Sequence, residues 1–148
     1  MRIVGAASFI AASCMLAPAV FADDSITIRN AWVRATVPGQ RVAGAYLTLR
    51  STTAARLTRV RTSVAPEVEI HEMSERDGVM RMRRLASLDL PAGREVQLAP
   101  GAIHLMLEDL KSPLRAGDEV ELELITESDK KTPATTRIRV PVRKEAPQ

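Results

Sequence analysis

Two histidines and four methionines in this chain are arranged in close pairs: His71-x-Met73, Met80-x-Met82 and His104-x-Met106. Both histidines of the protein, and four of its six methionines, fall in this set. Imidazole with thioether is a donor mixture that favours Cu(I), because soft sulfur selects a soft, polarisable ion over zinc, magnesium or calcium. The single cysteine is Cys14, so no thiolate accompanies the set further along the chain. In an oxidising compartment such a site also escapes disulfide formation, a physical reason to build a copper site from methionine.

The donors must be positioned by strands. Residues two apart on a strand share a face, so each pair aims both donors the same way. The segment Ser74-Glu75-Arg76-Asp77-Gly78-Val79 is polar and turn-prone and predicts a hairpin between the first two pairs. Two registers keep all four of its donors on one face. One sets Met73 opposite Met80 and His71 opposite Met82; the other, with a tight turn centred on Asp77-Gly78, sets Met73 opposite Met82. A shift by one residue splits the donors between faces. His104 and Met106 must arrive from a neighbouring strand or loop.

The rest of the chain supports an all-β reading. Short runs with period-two alternation occupy Ser25–Arg34, Ala43–Leu49, Arg56–Arg61, Glu67–Met73, Val79–Leu85, Glu95–Leu98, Ile103–Leu107, Glu119–Thr126 and Thr135–Val142. In the clearest, Val120, Leu122 and Leu124 alternate with Glu119, Glu121 and Glu123. Turn residues separate the runs at Pro38-Gly39, Asp77-Gly78, Pro91-Ala92-Gly93, Pro100-Gly101 and Ala116-Gly117-Asp118. No window keeps a helical period for three turns. The expected fold is a Greek-key β-sandwich or barrel of cupredoxin-like or immunoglobulin-like type. Ser128–Pro133 and Lys144–Gln148 read as mobile polar segments, and Trp32 and Tyr46 as packing anchors.

Residues 1–22 read as a secretory signal peptide. Met1-Arg2 begins it, an apolar stretch runs from Ile3 to Phe21, and Val20-Phe21-Ala22 forms a small-residue cleavage site. Ala11-Ala12-Ser13-Cys14 is a weak lipoprotein cleavage motif, and removal of Cys14 with the leader is the expectation, giving a periplasmic product with no transmembrane segment. Residues 23–143 then form one domain and 144–148 a short tail. Loss of Arg2 lowers the formal net charge from +3 to +2. Scattered basic residues and a near absence of aromatics exclude a nucleic-acid binder. No H-E-x-x-H or Ser-His-Asp arrangement suggests an enzyme, and a blue-copper electron carrier needs the cysteine that is missing.

From His71 the chain reads H-x10-M-x21-H-x-M through Met82, His104 and Met106. This spacing resembles the signature of the periplasmic copper chaperones of the PCu(A)C family. Similar text surrounds it in Ala31-Trp32-Val33-Arg34, Ala43-Gly44-Ala45-Tyr46-Leu47, Val68-Glu69-Ile70-His71-Glu72-Met73, Gly78-Val79-Met80-Arg81-Met82-Arg83, Pro100-Gly101 and Val140-Pro141-Val142. The resemblance implies a cupredoxin-like sandwich binding one Cu(I) through His71, Met82, His104 and Met106; the residues themselves leave Met73 and Met80 as secondary donors, a hydrophobic lid or transfer contacts. It also implies a carrier that hands copper to an acceptor such as a cytochrome c oxidase subunit or a Sco-type protein; a monomer is expected. Gly101-Ala102 departs from the Gly-Gly turn expected ahead of the second motif, and the C-terminus lacks the His- and Met-rich tail of some relatives, so one site is predicted. Arg81, Arg83 and Arg84 read as a solvated strand face. Two other functions fit the residues: copper sequestration for tolerance, and a metal-free interaction module.

Overall fold

The computed structural model describes residues 26–147, which form ten β-strands and no helix. They are β1 (Ile26–Arg34), β2 (Ala43–Ser51), β3 (Ala55–Thr62), β4 (Glu67–Arg76), β5 (Val79–Leu85), β6 (Leu88–Leu90), β7 (Glu95–Leu98), β8 (Ile103–Glu108), β9 (Glu119–Ser128) and β10 (Pro133–Arg143). The expected leader and Cys14 lie outside the described residues. The all-β expectation holds, and each expected run is a strand, several of them a residue or two longer than the alternation suggests. Leu88–Leu90 is an additional strand, too short to show a period.

Strand order is β5-β4-β8-β2-β1-β10-β9-β3-β6, with β7 pairing the second half of β2. Only Val33–Val142 and Arg34–Arg143 join β1 to β10, in parallel; the other pairings are antiparallel. The sheet therefore divides into two layers, β5-β4-β8-β2-β1 and β10-β9-β3-β6. They enclose one apolar cluster in which Ala45, Leu47 and Leu49 of β2 and Leu105 and Leu107 of β8 share the interior with Leu57 of β3 and Val120, Leu122 and Leu124 of β9.

Side-chain phase is set by this interior. In β8, Leu105 and Leu107 are completely buried. Burying one leucine is worth about 1.5–3 kcal/mol, so rotating β8 by one residue would forfeit roughly 3–6 kcal/mol from these two alone. His104 and Met106 are held on the outer face as a result. In β4, Ile70 is buried and Val68 packs beside the cluster, which turns Glu67, Glu69, His71 and Met73 to that same outer face.

Ser128–Pro133 departs from the expected loose segment. Ser128 ends β9, Pro133 begins β10, and the two strands pair in unbroken register from Pro133–Glu127 to Pro141–Glu119. The reversal is closed by backbone hydrogen bonds between Ser128 and both Lys131 and Thr132, with Lys131 in the left-handed region at φ 56°.

Candidate metal centre

The β4–β5 hairpin turns at Asp77-Gly78, both left-handed at φ 54° and 73°. Two positive φ values in a two-residue loop make a type I′ turn, whose twist matches the flanking strands and which Asp-Gly favours. Arg76 pairs with Val79, and the ladder sets Met73 opposite Met82, Glu75 opposite Met80 and His71 opposite Arg84. Of the two registers that the spacing allows, this is the tight-turn one. Strand β8 lies on the other side of β4, with His71 opposite His104 and Glu69 opposite Met106. All six donors, His71, Met73, Met80, Met82, His104 and Met106, thus lie on the outer face of three adjacent strands.

Burial differs along this row. His71 and His104 are 9% and 4% exposed, Met73 and Met106 are half-buried, and Met80 and Met82 are 51% and 50% exposed. The imidazole centres are 5.8 Å apart and nearly perpendicular. His71 Nδ1 is 3.0 Å from Met82 Sδ. Two donors of one tetrahedral ion, at metal distances of about 2.0 Å for nitrogen and 2.3 Å for sulfur, sit about 3.5 Å apart. That contact approaches the spacing a shared ion requires.

The other nitrogen of His71 faces a carboxylate. Nε2 is 2.6 Å from Glu69 Oε2, and Glu69 Oε1 is 2.6 Å from Arg84 Nη1, while Arg84 Nη2 reaches Glu67 at 3.3 Å. The hydrogen bond from His71, with a further contribution from Arg84, holds the Glu69 carboxyl below the usual carboxylate range against the opposing effect of burial. Glu108 lies nearby on β8; its carboxylate, that of Glu69 and a ring nitrogen of His71 fall within 4.8 Å of one another. Arg84 is exposed, as expected of a solvated strand face, and joins Glu67 and Glu69 of β4 through its guanidinium. Arg83 pairs instead with Glu72, at 2.6 Å.

His104 Nδ1 is 3.1 Å from the carbonyl of Ala102, which also accepts from the Met73 amide at 3.2 Å. The residue that departs from the Gly-Gly turn thus links the histidine of β8 to the hairpin through its backbone. On the same outer face, Tyr46 lies 6.3 Å from His104 and 4.6 Å from Trp32, ring centre to ring centre. Both aromatics are buried, as expected of packing anchors, but they stand outside the main apolar cluster, on the side of the sheet that bears the histidines. A β-bulge between Arg29 and Trp32 aligns Trp32 with Tyr46. Gly44 leaves room for the Tyr46 ring, which a Cβ at that position would strike, and Gly44 is the β2 neighbour of Met106.

Three of these roles escaped the sequence reading. Glu69 had a usable signal, since it sits two residues before His71 and strand periodicity puts it on the same face. Arg84 had a conditional one, since the register that sets Met73 opposite Met82 also sets Arg84 opposite His71; Tyr46 had none, because its place depends on how β2 docks beside β8.

The family model "Putative lipoprotein LpqE-like" matches residues 26–142. A curated relative, "Putative lipoprotein Lxx21020" of Leifsonia xyli subsp. xyli (strain CTCB07), is 31% identical over 102 residues, 68% of this chain and 61% of that protein. The chain thus spans about three fifths of that relative's length. Among solved structures, the apo PCuAC domain from PmoF1 superposes with a TM-score of 0.64 at 22% identity, covering 82% of this chain and 94% of that one. The copper-bound PCuAC domain from PmoF2 gives 0.60 at 24%, covering 80% and 93%. The Cu(I) form of DR1885 from Deinococcus radiodurans gives 0.59 at 26%, covering 78% and 76%. The fold is that of the PCuAC domains. From the first residue of β1 to the penultimate residue of β10 the family model is matched, and the chain belongs to the LpqE-like lipoprotein family.

Proposed function

We propose that this chain is an extracytoplasmic copper carrier that binds one Cu(I) through His71, Met82, His104 and Met106, with Met73 and Met80 as alternative donors close by. The observation that carries the reading is the contact of His71 Nδ1 with Met82 Sδ at 3.0 Å, on a face shared with His104 and Met106. The donor set suits the ion: two neutral imidazoles and two thioethers satisfy a soft monovalent cation and leave the complex with a charge of +1. The copper-bound likenesses, PmoF2 and DR1885, support copper as the cargo.

Transfer follows from the asymmetry of burial. The histidines are enclosed, whereas Met82 is half exposed on β5, which ends the sheet. A thiolate of an acceptor can approach from that side and displace the thioether before either imidazole lets go. An acceptor of this chemistry is a cytochrome c oxidase subunit or a Sco-type protein. The role is carriage, with no chemical turnover of a substrate.

The family's lipoprotein description supports acylation at Cys14, in place of the cleavage after Ala22 favoured by the leader's length. No helix among the described residues is long and apolar enough to cross a membrane; in this reading a lipid on Cys14 retains the chain at a membrane surface. Mass spectrometry of the mature N-terminus decides between lipidated Cys14 and free Asp23.

The principal test is anaerobic loading with Cu(I), followed by X-ray absorption to count the neighbours of the ion. Two sulfurs and two nitrogens are expected; oxygen and nitrogen neighbours alone, or no retention of copper, would overturn the assignment. In cells, loss of oxidase activity under copper limitation marks delivery, whereas loss of growth under copper excess marks sequestration.

A further inference from the structure

The two histidines have different hydrogen-bond partners on different ring atoms. His71 Nε2 meets a carboxylate oxygen of Glu69 at 2.6 Å, and His104 Nδ1 meets the backbone carbonyl of Ala102 at 3.1 Å. An ionised carboxylate and a carbonyl both only accept, so each of these ring nitrogens carries the proton. A neutral imidazole has one N–H and one lone pair, and the hydrogen bond made by one nitrogen decides which nitrogen remains for a metal.

We infer that Glu69, clamped by Arg84, is a positioning residue that presents Nδ1 of His71 to copper, while the Ala102 carbonyl presents Nε2 of His104, giving a site of mixed ring linkage. This inference rests on the copper reading above and deepens it. With the proton of the neutral ring on Nε2, towards Glu69, Nδ1 keeps its lone pair, and Met82 Sδ lies 3.0 Å from it. Two electron-pair donors so placed have no attraction for each other and a common attraction for a cation.

The support for Glu69 is itself built. Its second oxygen accepts from Arg84 Nη1 at 2.6 Å, and its side chain is 17% exposed against 63% for Arg84. Arg84 occupies the β5 position directly opposite His71, so the guanidinium spans the strand pair and reaches both Glu67 and Glu69. Glu67 in turn is opposite Glu108 on β8, where like charges facing each other repel; the guanidinium offsets that repulsion. The carboxylate is thereby fixed along the strand, and it fixes the ring. A negative group hydrogen-bonded behind a ligating imidazole also makes the ring a stronger donor, and loss of such a partner typically costs about 10- to 100-fold in metal affinity.

The test uses the full chain labelled with 15N at histidine, read by long-range 1H–15N correlation before and after one equivalent of Cu(I) without oxygen. Before copper, the expected proton positions are Nε2 for His71 and Nδ1 for His104. After copper, the nitrogens shifted by the metal should be Nδ1 of His71 and Nε2 of His104. Metal on Nε2 of His71, or the same ring atom used by both histidines, would overturn the inference. Glu69→Ala should lower Cu(I) affinity about 10- to 100-fold and give mixed linkage at His71. Glu69→Gln, which keeps an acceptor oxygen of the same reach, should lose less and retain Nδ1 linkage, and it serves as the readout if the alanine variant does not fold. Wild-type affinity and linkage in both variants would remove Glu69 from the role. If neither ring responds to Cu(I), the copper reading falls and the linkage with it, whereas the copper-free proton positions still report whether Glu69 and Ala102 orient the rings.

Discussion

Met73 and Met82 face each other across the β4–β5 ladder, which makes a double-substitution cycle at these two positions informative. Met82 is 50% exposed on an edge strand, so Met82→Leu removes a sulfur and little buried volume; folding stability should change by no more than about 0.5 kcal/mol. Opposed residues have Cβ atoms about 4.5–5.5 Å apart, and the thioether of Met73 can therefore swing towards the place Met82 leaves. Cu(I) affinity should then fall only about tenfold, or about 1.4 kcal/mol. Met73→Leu alone should cost about threefold, because Met82 already holds the position. Independent sites would give about 30-fold for the pair. Substitution of a lost donor by its neighbour predicts about 300-fold, a coupling of about 1.4 kcal/mol and within the range for residues in contact. Anaerobic competition against a chromophoric Cu(I) chelator measures all four proteins, and urea unfolding checks that each is folded. Wild-type affinity in Met82→Leu would exclude Met82 as a donor, additive losses would exclude the exchange, and a larger loss from Met73→Leu would reverse the two assignments.

Three other outcomes follow from the geometry. Leu105→Ala empties a fully buried position between His104 and Met106; it should lower unfolding free energy by about 3–5 kcal/mol, seen as a reduced denaturation midpoint, and a loss under 1 kcal/mol would mean that β8 is not anchored as described. Gly44→Ala places a Cβ against the Tyr46 ring; the ring must shift from its place between Trp32 and His104, with a cost of about 1–3 kcal/mol and an altered near-ultraviolet circular dichroism spectrum, and an unchanged spectrum would refute the close approach. The Glu69 carboxyl titrates below its ordinary value of 4.5 in the folded protein, so the folded state binds fewer protons than the unfolded state in that range. Its contribution to stability is complete above that value and is lost as pH falls through the lowered one; the advantage of wild type over Glu69→Gln in urea unfolding should shrink as the solution is acidified below 4.5, and an advantage that grows on acidification would contradict the pairing with His71.

Much of the donor face was legible without coordinates because strand periodicity is local. His71 with Met73, Met80 with Met82, and His104 with Met106 share a side by virtue of being two residues apart on strands, and the Asp-Gly dipeptide pointed to the tight turn found at residues 77 and 78. Glu119–Leu124 displayed its buried and exposed sides as plain alternation, and these sides are the ones observed. Leu88–Leu90 was not legible, since three residues carry no period and that strand is defined by its pairing with β3.

Residue types and their spacing determined the chemistry available to this chain: soft, neutral donors in pairs, without a thiolate, on short alternating strands. They left two hairpin registers open and said nothing of where the third pair would dock. Tertiary structure decided both. The buried leucines of β8 and the type I′ turn set which residues lie opposite one another, and only that pairing brings Arg84 to Glu69, Ala102 to His104 and Tyr46 to the same face. Outside this hairpin, whose turn is local, contacts between strands depend on the free energy of the whole core, a sum over residues far apart in the chain, and no local pattern encodes them.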